Sequence, residues 1–272
     1  MVSVIIPSLD GYRGGNVPKL IQALDSQTFQ DFEIIIATGE KPNSRARNVG
    51  VQSAQGKIIV FFDDDVILGD TKVIENLIAP FASYPDIGIT GASTLIPPDA
   101  NRFQKLCARE FKRFEFPVAY EIIETDMAHH AALSIRKDVY LKVGQENENL
   151  LLGTDPDLRY RVRQAGYQVV IVPHTWVYHP PHLDLTGLLK GIFRKGQAAA
   201  HVFWHYPNLV YETPSGHEKN FKPQRTFLYR ALRFIIDNID AFIQLKLIFL
   251  FTRISYGLGY FTGLIKLMIT RQ

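Results

Sequence analysis

Ile58-Ile59-Val60-Phe61-Phe62-Asp63-Asp64-Asp65 is the stretch on which the reading of this chain turns. Its first five residues are apolar, β-branched or aromatic, the composition of a short buried strand. Three carboxylates follow at once, and carboxylates are costly in an interior unless something neutralises them. At the carboxyl end of a parallel strand they would stand in the crevice where open α/β sheets bind ligands. A divalent cation holding a diphosphate suits such a cluster. If the strand continued through the acids, Asp63 and Asp65 would point to the same side.

The elements on either side place that strand in a sheet. Val2 to Ile6 is apolar and stops at Pro7, so it reads as a first strand. Asn16-Val17-Pro18 reads as a helix start, with Asn16 as cap and Pro18 in the first turn, and Val17, Leu20, Ile21 and Leu24 share one helical face. Glu33 to Ala37 is a second strand. Ser44 can cap a following helix that Gly56 ends. Strand, helix, strand, helix, strand in this order implies right-handed crossovers and a parallel sheet. Further on, Ile74 to Phe81 reads as helix, and Ile87 to Thr90, Ala131 to Ile135 and Val169 to Val172 as strands. Val177-Tyr178-His179-Pro180-Pro181 reads as an extended loop leaving the sheet.

The 272 residues carry 46% apolar and 21% charged side chains, an ordinary globular composition. One cysteine, Cys107, excludes an intrachain disulfide and a cysteine-based zinc site, and points to a reducing compartment. The first residues have no signal-peptide pattern. The net charge of +3 conceals an asymmetry: residues 217–272 hold nine Lys/Arg against three Asp/Glu, while the rest is net acidic. Residues 206–223, with Pro207, Pro214, Gly216 and Pro223, read as a linker after a domain spanning 1–205. Residues 224–272 are apolar with interspersed bases. Their longest uncharged run, Ile254 to Ile265, is shorter than the ~18 to 20 residues of a membrane span, so helices lying in a membrane interface are expected.

Other residues carry chemistry. Thr154-Asp155-Pro156-Asp157 opens a helix, and Asp155 reads either as its N-cap or as a rigidly held general base. His174, His179 and His182 follow the last strand, and a neutral imidazole beside a bound cation is a candidate ligand. His129-His130 is less informative, because neighbouring strand residues face opposite ways. Arg45 and Arg47 could meet phosphate oxygens. Gly11, Gly14 and Gly15 fit neither the dinucleotide nor the Walker pattern, which disfavours Rossmann dehydrogenases and P-loop NTPases.

Taken in order, these segments resemble the family 2 glycosyltransferases, inverting enzymes with the GT-A fold. The resemblance rests on Val2-Ser3-Val4-Ile5-Ile6-Pro7-Ser8, on Leu20 to Thr28, and on Ala46-Arg47-Asn48-Val49-Gly50 with Ala54-Gln55-Gly56. It continues through Phe61 to Asp65, Gly153 to Arg161, Gly166-Tyr167 and Val177-Tyr178-His179. It implies an α/β GT-A domain, mainly parallel and Rossmann-like, with a helical C-terminal appendage. It implies that Asp63, Asp65 and His179 hold Mn²⁺ or Mg²⁺ on the diphosphate of a nucleotide-sugar, with Asp64 beside them. Pro7, Ser8, Asp10 and Arg47 would line the nucleotide site, and Asp155 would deprotonate the acceptor hydroxyl. The expected partners are a nucleoside-diphosphate sugar, a glycan or lipid-linked acceptor, and a membrane surface at the cytoplasmic face, with no nucleic acid.

Two departures stand out. Ile36-Ala37-Thr38-Gly39-Glu40 lacks the acidic pair that meets the base in the family, and Thr154 stands where a Glu usually precedes the catalytic Asp. Two other readings compete. A sugar-phosphate nucleotidyltransferase would carry G-x-G-T-R after strand one, which Ser8-Leu9-Asp10-Gly11-Tyr12-Arg13 does not match. A non-catalytic, membrane-bound sugar-binding subunit is the third.

Overall fold

Val2-Ser3-Val4-Ile5-Ile6-Pro7 is buried at every position, as a strand covered on both faces must be. In the computed structural model, which describes residues 1–111, 114–150, 152–205 and 227–270, this strand (β1, Val2–Pro7) lies inside an eight-stranded sheet. The other strands are β2 (Phe32–Ala37), β3 (Ile58–Phe61), β4 (Ile67–Leu68), β5 (Ile87–Leu95), β6 (Ile123–Glu124), β7 (Leu133–Arg136) and β8 (Gln168–Tyr178). Their spatial order is β2-β1-β3-β7-β5-β8-β4, with β6 paired to β8.

The sheet is mixed. β1 pairs with β2 and β3 in parallel, and β5 pairs with β8 in parallel. β7 enters antiparallel between β3 and β5, while β4 and β6 pair antiparallel with β8. The first three strands thus form the expected crossovers, and the later strands return in the other direction. The last strand also runs longer than its apolar core predicts. It passes through a bulge at His174, whose φ is +50°, and continues to Tyr178. Of the segment expected to leave the sheet as a loop, Val177 and Tyr178 are strand, because β4 and β5 supply their ladder partners, and His179 to Pro181 lie beyond it.

The helices are α1 (Asn16–Asp25), α2 (Asn43–Ser53), α3 (Val73–Ile78), α4 (Pro80–Ser83), α5 (Arg102–Glu110), α6 (Lys137–Lys142), α7 (Thr154–Gln164), α8 (Leu185–His205), α9 (Phe227–Ile243) and α10 (Leu247–Ile269). Alternation along the strands feeds two cores. Val2, Val4, Ile6, Val60 and Phe62 meet α1 through Val17, Leu20 and Leu24, and α3 through Val73, Ile74 and Leu77. Ile5, Ile59, Phe61, Leu133 and Ile135 meet Val51 of α2, Val139 and Tyr140 of α6, and Leu158 and Val162 of α7. Two expected caps differ. Gly15, in the left-handed region at φ +93°, takes the N-cap of α1, and Asn16 is its first residue. Ser44 lies buried inside α2, which Pro42 precedes.

The chain divides into two compact units. One comprises Met1–Pro97 and Glu115–Pro180, and holds the sheet. The other comprises Pro98–Phe114 with, among the described residues, 181–205 and 227–270, so α5 and α8 group with the C-terminal helices. The sequence alone marks a change at 206; residues 206–223 lie outside the described residues. Within the second unit α8 and α10 approach closely enough that side chains would collide. A Cβ on Gly259 would lie 2.1 Å from the Phe193 carbonyl oxygen, and one on Gly196 would lie 2.2 Å from that of Tyr256. Ser255 Oγ donates to the Leu189 carbonyl at 2.8 Å.

A polar knot fastens the start of the sheet. Ser3 Oγ donates to Glu33 Oε1 at 2.6 Å, Gln55 N–H donates to the same oxygen at 2.6 Å, and Gly56 N–H donates to Ser3 Oγ at 2.8 Å. A Cβ on Gly56 would fall 2.5 Å from the Ser3 backbone nitrogen. Gly56→Ala is therefore expected to lower unfolding free energy by about 1–3 kcal/mol, the usual cost of overpacking. Urea unfolding monitored by circular dichroism checks this, and an unchanged midpoint would refute the close approach.

Candidate active site

β3 ends at Phe61, and the three acids occupy the turn beyond it rather than a continued strand. Three different cations meet them. Arg47 Nη2 lies 2.7 Å from Asp63 Oδ1. Arg13 reaches both others, Nε at 3.5 Å from Asp64 Oδ1 and Nη2 at 3.3 Å from Asp65 Oδ2. His179 Nε2 lies 3.2 Å from Asp65 Oδ1. Burial pushes the Asp64 carboxyl up, against the pull of Arg13. At Asp65, burial is outweighed by His179 and Arg13, and the carboxyl is held below its ordinary value.

Topology explains the meeting of Asp65 and His179. β4 follows the acidic turn and pairs antiparallel with the end of β8, Ile67 opposite Tyr178 and Leu68 opposite Val177. That register brings His179, just past the ladder, close to Asp65, two residues before it. His179 N–H is also anchored on the Leu95 carbonyl at 2.9 Å.

Arg13 carries no recognisable sequence signal, because its position comes from backbone geometry. Asp10 Oδ1 accepts from the N–H groups of Tyr12 and Arg13 at 2.9 and 2.8 Å, folding the loop into an Asx turn. Arg13 itself has φ +49°, followed by Gly14 and Gly15 at +62° and +93°. Asp10 is exposed, Ser8 is buried, and Pro7 lies opposite Ala37 at the end of β1.

The A-R-N segment of α2 works inward. Arg47, buried to 4% exposure, bridges Asp63 and Glu146, its Nη1 lying 3.5 Å from Glu146 Oε2. Asn48 holds the same loop: Nδ2 donates to the Glu146 carbonyl at 3.0 Å and to Glu148 Oε1 at 2.8 Å, while Oδ1 accepts from Tyr140 Oη at 2.6 Å and Glu146 N–H at 3.1 Å. Arg45, by contrast, is half-exposed and pairs with Glu40 at 2.7 Å.

Asp155 is not the N-cap of α7. Gly153, at φ +82°, takes that place with no side-chain capping bond, and Asp155 lies in the first turn. Its carboxylate goes elsewhere: Oδ1 meets His130 Nδ1 in a short contact. The other ring nitrogen of His130, Nε2, lies 2.5 Å from Glu146 Oε1. His130 is buried, with its ring set edge-on against Phe61 at 5.5 Å. Burial and Arg47 pull the imidazole pKa down, but Asp155 and Glu146 outweigh them and push it up to about 9. Burial works against ionisation of Asp155, yet His130, Arg159 and Arg47 hold its carboxyl well below the ordinary range. Glu146 is lowered likewise, its burial outweighed by His130 and Arg47. The helix start favours the charged form of Asp155 as well.

One unbroken sequence of contacts thus runs from Asp63 through Arg47, Glu146 and His130 to Asp155. The structure brings together Asp63, Asp64, Asp65, Arg47, His179 and Asp155, with Arg13, Asn48, His130 and Glu146 added. Among the described residues no group of three metal-ligating side chains is preformed. The chemistry of Asp65 and His179 still fits a divalent cation, since a carboxylate and an imidazole nitrogen, now 3.2 Å apart and paired with each other, are ligand types such ions take. Asp63 shares its Oδ1 with Arg47.

Comparison with known proteins agrees with this architecture. The family model described as "Glycosyltransferase like family 2" matches residues 26–198. The glycosyltransferase AglE of Haloferax volcanii is 23% identical over 235 residues, 74% of this chain and 74% of its own. The O-antigen chain rhamnosyltransferase RfbN of Salmonella typhimurium is 24% identical over 216 residues, 66% of this chain and 68% of its own. Among solved structures, the mannosyltransferase PcManGT of Pyrobaculum calidifontis, in complex with GDP-Man and Mn²⁺, superposes with a TM-score of 0.60 at 12% identity, over 100% of this chain and 87% of that one. Residues 1–349 of TarS from S. aureus give 0.50 at 13% identity, over 100% and 92%. The chain therefore belongs to the glycosyltransferase family 2, and is a glycosyltransferase with a GT-A fold.

Proposed function

We propose that the protein transfers a sugar from a nucleoside-diphosphate donor to an acceptor hydroxyl in glycan synthesis, by one metal-dependent displacement with inversion. The observation that carries this reading is the contact sequence from Asp63 to Asp155. It joins an acidic turn suited to a cation-bound diphosphate to a single, rigidly held carboxylate suited to proton abstraction. One displacement needs one base and no second carboxylate as nucleophile. The names of AglE and RfbN support a glycan acceptor, and the GDP-Man and Mn²⁺ bound to PcManGT support a nucleotide-sugar and a metal.

In this reading Pro7, Ser8 and Asp10, at the end of β1, line the nucleoside site. Asp65 and His179 hold the cation, Mn²⁺ or Mg²⁺, with Asp63 beside them; when bound, it offsets the charge that builds on the departing diphosphate. Arg13 is the exposed cation at the same turn, available to phosphate oxygens. Arg47 fixes Asp63 from behind. Asp155 accepts the proton of the acceptor hydroxyl, leaving its oxygen free to attack the anomeric carbon from the face opposite the leaving group.

The second unit fits a membrane-proximal acceptor. Helix α10 is long and apolar enough to cross a membrane. Ile254, Leu258, Phe261, Ile265 and Met268 form an exposed apolar stripe along it, and Ile235, Ile236, Ile239, Phe242 and Ile243 on α9 are exposed as well. Lys266 lies exposed within the stripe, and Lys246, paired with Asp240 at 3.9 Å, precedes it, so bases stand near both ends as in helices that meet lipid headgroups. This supports contact with an anionic cytoplasmic leaflet and a lipid-linked acceptor.

Three outcomes test the reading. Asp155→Asn is expected to cut turnover by about 10²–10⁴-fold while donor binding, followed by thermal shift, persists; near-normal transfer would remove Asp155 as base. Asp65→Asn and His179→Ala should each abolish the Mn²⁺-dependent thermal shift given by a panel of GDP-, UDP- and dTDP-sugars, and an undiminished shift would move the metal site elsewhere. The full chain should sediment with phosphatidylserine vesicles, less so at high salt and after Lys246→Glu/Lys266→Glu. Equal sedimentation of wild type and variant would refute the charged contact.

A further inference from the structure

His130 faces two carboxylates at once and almost no solvent. Its Nδ1 meets Asp155 Oδ1, its Nε2 lies 2.5 Å from Glu146 Oε1, and its exposure is 1%. The Nε2 contact is an ion pair at 2.5 Å without the alignment of a hydrogen bond, and two carboxylates this close are offset by a charged ring and not by a neutral one. Two facing carboxylates therefore select the imidazolium. The chain spends a buried cation here although removing one partner of such a pair would leave a charge stranded. A bridge serving stability alone could join buried groups only; this one ends on Asp155, whose side chain is 30% exposed and whose Oδ2 is left with His129 at 4.0 Å.

We propose that His130, braced by Glu146, is a positioning residue for the transfer reaction: it fixes Asp155 by one oxygen and so presents the other to the acceptor hydroxyl. The inference rests on Asp155 being the base. His130 is too deeply buried to touch the acceptor, so it acts only through Asp155. A fixed carboxylate has already lost the rotational freedom that would otherwise be lost on reaching the transition state. The imidazolium also keeps Asp155 ionised down to low pH, so the base stays competent in mildly acidic conditions. Arg159 in α7, Arg47 in α2, Glu146 in the loop after α6, and His129 complete the charged surroundings, with Phe61 and Tyr140 as their aromatic lining. Glu146 and Arg47 remain in place when His130 is changed. Arg159 and Arg47 still act on Asp155, but its largest attraction is lost, and burial drives its pKa upward.

The test uses the full-length protein and the nucleotide-sugar of the panel above that the wild type turns over fastest with Mn²⁺. His130→Gln is expected to lower kcat by about 10- to 100-fold and leave donor KM within about twofold. It should also move the acid limb of the kcat profile, measured at saturating Mn²⁺, to higher pH than in the wild type. Should His130→Gln fold poorly, His130→Gln/Glu146→Gln also removes the carboxylate facing the changed side chain, with Arg47 still held by Asp63, and the same loss of kcat and the same shift of the acid limb are expected. A wild-type kcat and an acid limb at the wild-type position in the folded variant would overturn the proposal. So would a fall in activity that tracks only loss of folded protein. Asp155→Asn is measured alongside: if it stays active, the base assignment itself fails, whatever His130→Gln does. Nitrogen-15 histidine spectra give an answer independent of turnover. Both ring nitrogens of His130 should remain protonated until about pH 9 in the wild type and lose this in Asp155→Asn; a neutral His130 near pH 7 would overturn the proposal.

Discussion

Arg47 and Glu146 offset each other's charge in the interior. Both are essentially buried, and an isolated charge there is far costlier than a paired one. Each side chain also has a second partner of opposite sign, Asp63 for Arg47 and His130 for Glu146. Charge alternates along five residues, so every buried member is neutralised on both sides. The loop carrying Glu146 is locked to α2 by Asn48, which satisfies both its amide donors and its carbonyl within that loop and Tyr140. The geometry of the site is thus the geometry that lets these charges remain inside.

The sheet supplies the framework for that arrangement. Parallel strands alone would bring the ends of β1, β2 and β3 to one edge. The antiparallel entry of β7 beside β3 adds something further. With Phe61 opposite Leu133, the residues before β7 pass alongside those after β3, and His130 comes against Phe61. The antiparallel pairing of β4 with β8 does the same for Asp65 and His179. A bulge in β8 at His174 lets the strand change register and still reach Tyr178.

The second unit follows different rules. Its α8 and α10 meet through glycines at backbone contact distance, a mode suited to helices whose outer faces are apolar. Hydrophobic side chains that would form the core of a soluble bundle instead point outward along α9 and α10. The free Cys107 is buried with Leu188 and Ile248 in this unit's own small core, where burial raises its thiol pKa to about 11.

Much of the first half was legible in sequence, because local pattern and tertiary role coincide there. An uninterrupted apolar run such as Ile58 to Phe62 needs cover on both faces, and acids directly after it need a cation, whatever the fold. The order of the A-R-N segment, the acidic cluster and Asp155 likewise carried the family. What sequence could not decide was partnership across long separations. Asp155 reads equally as a cap and a base in the sequence, and only the fold gives the cap to Gly153 and a contact of its carboxylate to His130. The pair His129-His130 carried no spacing signal, since the partners of His130 come from a loop and a helix later in the chain. Arg13 owed its place to left-handed backbone at three successive residues rather than to any motif. The linear chain thus determined which residues must be buried and which charges must find partners. Only the folded sheet decided which partners they found, because antiparallel pairing brings together side chains that no local periodicity relates.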